Sequence, residues 1–440
     1  MPAINGSARV MRGMRDSMTG FVVAFSIWAF TLINFTAPGR RGAEGSEGID
    51  VITLLKMGSR GIAILLMLTI LLRDPPSRIL RELRHHFLPM LLFVLWGLVS
   101  FAWSAKAALT IAQAGCMGAL ILLAFLIARH CRDRFDISFV MQHLTMSLAF
   151  VSVIVLAVQI VRPEWSSVTR NAAGEGANGI MHPTTIGSTS ALALVLLLPC
   201  QFLWRFSWQQ KWFWPLLITH SIALYLSAAR LALVLTVLVL FGLLLISIPR
   251  KHILAAALIL GTLGTALLTV NPDLRLVGNA GGGVTEYLQR GQSAAEMGSL
   301  TGRGELWPVM WKSFMESPIR GHGYYVTTAR GEVRVWGQPT NLTAHNVLLH
   351  SLCTVGIIGT LFLLWSILSV SIAFLRRPYV SEDDKTLRWV SLAMVVWFSG
   401  WGLLNASFLA PFQPESVVFF IFVGLAIAHC NVNRERNLGV

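Results

Sequence analysis

Residues 51–103 read VITLLKMGSRGIAILLMLTILLRDPPSRILRELRHHFLPMLLFVLWGLVSFAW. Two apolar runs, 51–72 and 87–103, flank a polar stretch that carries Arg73, Arg78, Arg81 and Arg84. A hydrocarbon core of roughly 30 Å takes about 20 apolar residues in a helix, so runs of this length parted by basic clusters read as successive membrane spans. The alternation recurs along the chain, with spans expected at 20–37, 51–72, 87–103, 109–128, 138–161, 184–204, 212–228, 230–248, 252–270, 347–374, 387–405 and 415–430. The fold class is therefore all-α, a polytopic membrane protein of about 12 transmembrane helices.

Composition agrees with a bilayer as solvent. Of 440 residues 55% are hydrophobic and 13% charged, against about 25% charged in soluble domains. The net charge of +14 is not a nucleic-acid footprint, because the Lys and Arg residues sit at the ends of apolar spans rather than on one tract. Cys116, Cys131, Cys200, Cys353 and Cys430 are scattered without paired ligand spacing, so neither a metal site nor a disulfide framework is expected. Glu382, Asp383 and Asp384 read as a solvated turn. Arg9, Arg12 and Arg15 precede the apolar run 21–35 with no small-residue cleavage site after it, which reads as a retained first helix.

The basic clusters set an orientation. With the N-terminus inside, every inside segment is basic, from Arg9, Arg12 and Arg15 through Arg129, Arg132 and Arg134 to Arg434 and Arg436. Both termini are then cytoplasmic and the 271–346 loop is periplasmic. The chain divides into helices one to nine (1–270), this loop (271–346), and helices ten to twelve with a cytoplasmic tail (347–440). The loop is too long for a mere connector. Its first half is open in character, with Gly281, Gly282 and Gly283 in a row; from Leu306 to Phe314 it fits a short amphipathic helix with Pro308 near the first turn.

An ionisable group within a span costs roughly 2.5–3.5 kcal/mol on insertion scales, which makes Arg230, set between two apolar runs, a functional candidate. A headgroup-snorkelling arginine is the alternative. His345-Asn346 sits where the loop re-enters the membrane. Imidazole ordinarily titrates near neutrality and can take a proton from a hydroxyl; a capping or interfacial role for the pair stands beside that reading. Arg303 and Arg320 lie in the loop, and guanidinium groups bind phosphate oxygens through two parallel bonds. Gly321 and Gly323 suggest a tight turn around His322.

Together these residues carry a family resemblance. The span layout, Ser227-Ala228-Ala229-Arg230, the stretch from Gly302-Arg303 through Trp307 to Pro318 and Gly321-His322-Gly323, and His345-Asn346 with Gly356 and Gly359 resemble the O-antigen ligase and polysaccharide polymerase superfamily. Trp103-Ser104 and His182-Pro183 also fit. The resemblance implies a membrane-embedded glycosyltransferase that acts at the periplasmic face of the bacterial inner membrane. Its donor would be a glycan on undecaprenyl pyrophosphate, with a glycan acceptor and membrane lipids as the other partners. Chain-length regulators and export proteins would be further partners, and no metal, cofactor or nucleic acid is implied.

Carried over by position, Arg230, Arg303 and His345 would be catalytic, and Arg320, His322, Asn346, Trp307 and His182 would contact substrate. Departure of a pyrophosphate gathers negative charge that fixed arginines can stabilise. Phe362 stands where ligases of this superfamily often have an acidic residue, two positions beyond Thr360, which leans the reading toward a polymerase of exopolysaccharide or O-antigen units. Transfer of glycan to lipid A-core is the alternative, and a lipid-linked oligosaccharide transporter the less favoured one.

Overall fold

The computed structural model describes residues 17–32, 35, 51–165, 180–227, 229–247, 303–331, 333–335, 338–340, 343–375, 382–406 and 409–437. Backbone groups in hydrocarbon must be satisfied within the chain, and the apolar runs accordingly form helices. These are α1 (Met18–Thr31), α2 (Val51–Leu71), α3 (Pro76–His86), α4 (Leu88–Val99), α5 (Ala107–His130), α6 (Arg134–Val161) and α7 (Pro183–Pro199). They continue with α8 (Ser207–Ser227), α9 (Arg230–Ser247), α10 (Arg303–Glu316), α11 (Val347–Leu375), α12 (Glu382–Leu404) and α13 (Pro414–Asn437).

Eleven of the expected spans coincide with helices in this series; the span at 252–270 and the loop's first half lie outside the described residues. Among the described residues six helices are long and apolar enough to cross a membrane: α2, α5, α6, α7 with its continuation to Trp204, α11 and α12. Three shorter apolar helices, in α1, α9 and α13, accompany them. The arginine-rich α3 meets α4 at a bend of 98°. Arg129 at the end of α5 pins it there, 3.0 Å from Asp74 and 3.5 Å from Glu82.

Start signals are local. Ser17 caps α1 by accepting from the Gly20 amide at 3.1 Å, and Asp133 caps α6 through the Asp136 amide at 2.9 Å. The largest apolar cluster runs through α1, α2, α4 to α9 and α11–α13, and a separate one joins α10 to the head of α11. Where α13 crosses α5 a Cβ on Gly424 would stand 2.6 Å from the Ala124 carbonyl oxygen, a backbone approach that only a small residue permits.

Three local expectations change. The loop helix begins at Arg303, so Pro308 lies inside it rather than in its first turn. Glu382, Asp383 and Asp384 open α12 instead of forming a turn; acidic residues suit a helix N-terminus, where the dipole is positive. The loop also holds a small antiparallel pair, β1 (Val333–Val335) with β2 (Gln338–Thr340), in the register Val333 to Thr340.

The helix α11 is broken at Gly356, where φ is 67° and ψ −171°. The break frees backbone groups on both sides, and the loop turn 318–323 satisfies them. The amides of His322 and Gly323 donate to the Cys353 and Thr354 carbonyls, each at 2.9 Å, and the Ile357 amide donates to the Pro318 carbonyl at 2.9 Å. From α4, Trp96 Nε1 donates to the Val355 carbonyl at 2.8 Å. Irregular backbone thus persists in a spanning helix because protein, not lipid, surrounds it. The turn and the kink are one unit, and they hold the far loop against the membrane end of α11.

Candidate active site

Residues 344–346 sit at the head of α11, against α10. Leu306, Met310 and Phe314 form the buried stripe of α10 and pack on Ala344 and Cys353. Trp307 Nε1 donates to the Ala344 carbonyl at 3.1 Å, which fixes the residue before His345. Asn346 then caps α11 by accepting from the Leu349 amide at 2.9 Å, while its Nδ2 donates to the Leu403 carbonyl of α12 at 3.0 Å. Both ends of the Asn346 amide are therefore engaged in structure. His345 between these anchors has φ of 48°, a left-handed backbone that costs a non-glycine residue on the order of 1–3 kcal/mol.

Among the described residues the His345 ring has no hydrogen-bond partner, and Arg303 at the start of α10 is within electrostatic reach. Burial first, and the Arg303 charge second, push the imidazole down to about 4. His345 is thus neutral at pH 7 and able to accept a proton. Burial also lowers the Arg303 guanidinium from its ordinary value, yet arginine stays cationic at neutral pH. The sequence-level expectation of a titration near neutrality is corrected by this packing.

Arg230 heads α9, directly after the break that ends α8 at Ser227. The break is built against Gly187 in the first turns of α7, where a Cβ would lie 2.2 Å from the Ala229 Cβ and 2.7 Å from Ser227 Oγ. His182 caps the same helix, its Nδ1 accepting from the Thr184 amide at 3.2 Å. Beside Gly187, Ser188 Oγ donates to Glu415 Oε1, buried in the first turn of α13. Further along α9, Leu235 packs where Gly400 of α12 leaves room, three residues before the carbonyl that holds Asn346. The heads of α7, α9, α11 and α13 and the end of α12 therefore share one end of the bundle.

The remaining loop residues are placed differently. His322 is 7% exposed and its Nε2 is 2.8 Å from the Ser313 carbonyl, so this ring pins the loop to α10. Arg320 is exposed, with its guanidinium 5.5 Å from the centre of the Trp103 ring. Tyr324 enters the bundle over Gly97: its amide donates to Ser100 Oγ and its hydroxyl to the Leu409 carbonyl, both at 2.8 Å.

Three residues join the picture that the sequence reading does not single out. Tyr325, held at φ of 69°, lies 5.6 Å ring to ring from His350, which is close enough to His345 for their charges to interact. Arg60 is the third, a cation within α2 whose guanidinium lies 4.5 Å from the centre of the Phe412 ring. Its signal was present as a charge inside the apolar run 51–72. A neutral imidazole within electrostatic reach of a guanidinium, at a polar loop that meets membrane helices, suits transfer between a hydroxyl and a phosphate-linked centre.

Compared with known families, residues 184–364 match the Wzy_C family, described as O-Antigen ligase. The matched stretch runs from the first turn of α7 into α11 and contains Arg230, Arg303, Trp307, Arg320, His322, His345 and Asn346, with His182 just outside it. No curated protein matches the chain. Residues 184–364 of this all-α, multi-pass membrane protein are thus similar to O-antigen ligases, a match that supports the O-antigen ligase and polymerase superfamily.

Proposed function

We propose that this protein polymerises oligosaccharide repeat units carried on undecaprenyl pyrophosphate, at the periplasmic face of the inner membrane. The observation that carries the reading is the buried His345 at the head of α11 with Arg303 of α10 within electrostatic reach, inside the matched stretch. The acceptor hydroxyl oxygen attacks the anomeric carbon of the donor glycan as the bond from that carbon to the pyrophosphate oxygen breaks. His345 orients the hydroxyl and receives its proton. Arg303 and Arg230 hold the departing pyrophosphate and balance its growing charge. Tyr325 and Trp307 line the approach, and Arg320 meets phosphate or sugar at the rim.

Orientation follows the basic clusters: both termini cytoplasmic, the 271–346 loop periplasmic. The division into 1–270, 271–346 and 347–440 belongs to the same proposal, with the twelve-span count. Donor glycan, acceptor glycan and membrane lipids are the direct partners, and chain-length regulators and export proteins the expected associates. Phe362, in place of an acidic residue on α11, favours the polymerase branch.

Purified protein in lipid discs, given lipid-linked repeat units with and without lipid A-core, tests this reading. A ladder of lengthened lipid-linked glycan without core is the expected product. Transfer only to core would make the protein a ligase, and movement of intact units across a bilayer with no new glycosidic bond would make it a transporter.

A further inference from the structure

One stripe of α2 changes character halfway along. Lys56, Arg60, Ala63, Met67 and Ile70 follow one another at spacings of four, three, four and three, so they lie on a single face. Ala63, Met67 and Ile70 are buried against the bundle, and they are the buried residues of this helix. On the opposite face Leu54, Leu55, Met57, Ile62 and Leu65 are more than half exposed, the surface that lipid covers. The bundle-facing stripe is thus apolar and packed in one half and cationic in the other, flanked there by Thr53 and Ser59. None of the residues 51–62 is fully buried, and Arg60 is the residue of this half that reaches the bundle.

The cationic half lies at the end of the molecule that holds His345. Arg60 reaches across to Phe412, whose ring is 4.5 Å from that of Phe30 and whose backbone is held at φ of 59°. Arg60 is also within electrostatic reach of Cys116 on α5. Phe412 belongs to the 409–413 segment, which Tyr324 and Ser416 brace through the Leu409 and Ala410 carbonyls. That segment follows α12, whose Leu403 carbonyl anchors Asn346. Two cations in one half of a membrane helix, turned toward the protein rather than the lipid, mark a substrate path.

We infer that Lys56 and Arg60 form a lateral docking site for the pyrophosphate group of a polyprenyl-linked substrate, entered from the bilayer between α2 and the 409–413 segment. The inference rests on the proposed function for the identity of the lipid. Its chemistry is that of a diphosphate: two negative groups a few ångströms apart meet two cations one helical turn apart, while the polyprenyl chain stays among the exposed leucines of α2. Lys56 and Arg60 capture the donor; the His345 site carries out the transfer.

The test measures binding of undecaprenyl pyrophosphate to the full-length protein in phosphatidylcholine discs, for wild type, Arg60→Lys, Arg60→Gln and Lys56→Gln/Arg60→Gln. Polyprenol, phosphatidylglycerol and inorganic pyrophosphate serve as comparison ligands. The expected result is a dissociation constant at least about 10-fold weaker in the double variant, with Arg60→Lys closer to wild type. In turnover, KM for donor rises while kcat holds. Wild-type binding that the double variant keeps unchanged would overturn the inference and leave the proposed function standing, as would equal displacement by phosphatidylglycerol. If the double variant lost only thermal stability and kcat, Arg60 would be a staple on Phe412 and the inference would fall. Absence of binding to wild type would remove the proposed function as well.

Discussion

At single residues, the surroundings of His345 and Arg230 decide what each side chain can do. The imidazole is held down to about 4 by burial and then by Arg303, so its proton-accepting form is populated throughout neutral pH. Its sign is fixed: kcat/KM is flat above about pH 5.5 and falls as pH drops through about 4, where the base becomes protonated. A bound pyrophosphate neutralises Arg303 and removes one of the two depressing causes, so the inflection in kcat lies above that in kcat/KM. Rate profiles for both parameters check this, and a single inflection near the ordinary histidine value would contradict it. His345→Gln keeps a hydrogen bond but no base, and is expected to slow single-turnover transfer by about 100-fold or more with donor binding retained. Arg230→Lys keeps the charge but loses the planar fork, and at equal protein abundance its turnover is expected to drop at least about 10-fold. Full turnover by that variant would reduce Arg230 to an anchor at the membrane surface. His345 was legible as a candidate because it ends a polar loop; its shifted titration was not, since burial and the approach of α10 are tertiary facts.

At the element scale the kink of α11 and the turn 318–323 stand or fall together. A Cβ on Gly356 would lie 2.3 Å from the Ile319 carbonyl oxygen, and one on Gly321 would lie 2.4 Å from the Thr354 carbonyl oxygen. Both residues have φ near 70°, at 67° and 70°, so any side chain meets strain and backbone contact at once. Gly356→Ala is expected to cost about 1–3 kcal/mol or more, read as lower thermal stability in detergent and lower yield, whereas Gly58→Ala, with open space around it, leaves both unchanged. Equal behaviour of the two variants would show that the kink does not hold the loop. Apolar periodicity revealed the helices on either side of the kink but not the kink itself: Gly356 reads as one more small residue in an apolar run. The partners that satisfy its freed carbonyls lie more than thirty residues upstream, beyond what local pattern can show. The same limit explains α10, whose start at Arg303 depends on packing against Ala344 and Cys353.

At the scale of the whole molecule, hydropathy and the spacing of arginines made the membrane fold legible, because the bilayer imposes span length and concentrates charge at the ends. The orientation drawn from them predicts that Glu316→Cys, on an exposed face of α10, is labelled by an impermeant thiol reagent in cells with an intact inner membrane. Arg81→Cys on α3, in a background lacking the five native cysteines, is expected to react only after permeabilisation; the reverse pattern would invert the protein. What sequence left dark at this scale is how distant heads of helices meet, as Gly187 meets Ala229 and Leu235 meets Gly400. That meeting brings the heads of α7, α9 and α11, with Arg230 and Asn346 on them, to one end of the bundle. Counted products decide whether the glycan is polymerised on its lipid: the protein in lipid discs is given a repeat unit on undecaprenyl pyrophosphate, and free undecaprenyl pyrophosphate is measured against new glycosidic bonds. One lipid pyrophosphate released per bond formed, lost in His345→Gln, is the predicted result; bonds formed without that release, or equally fast in the variant, would contradict it.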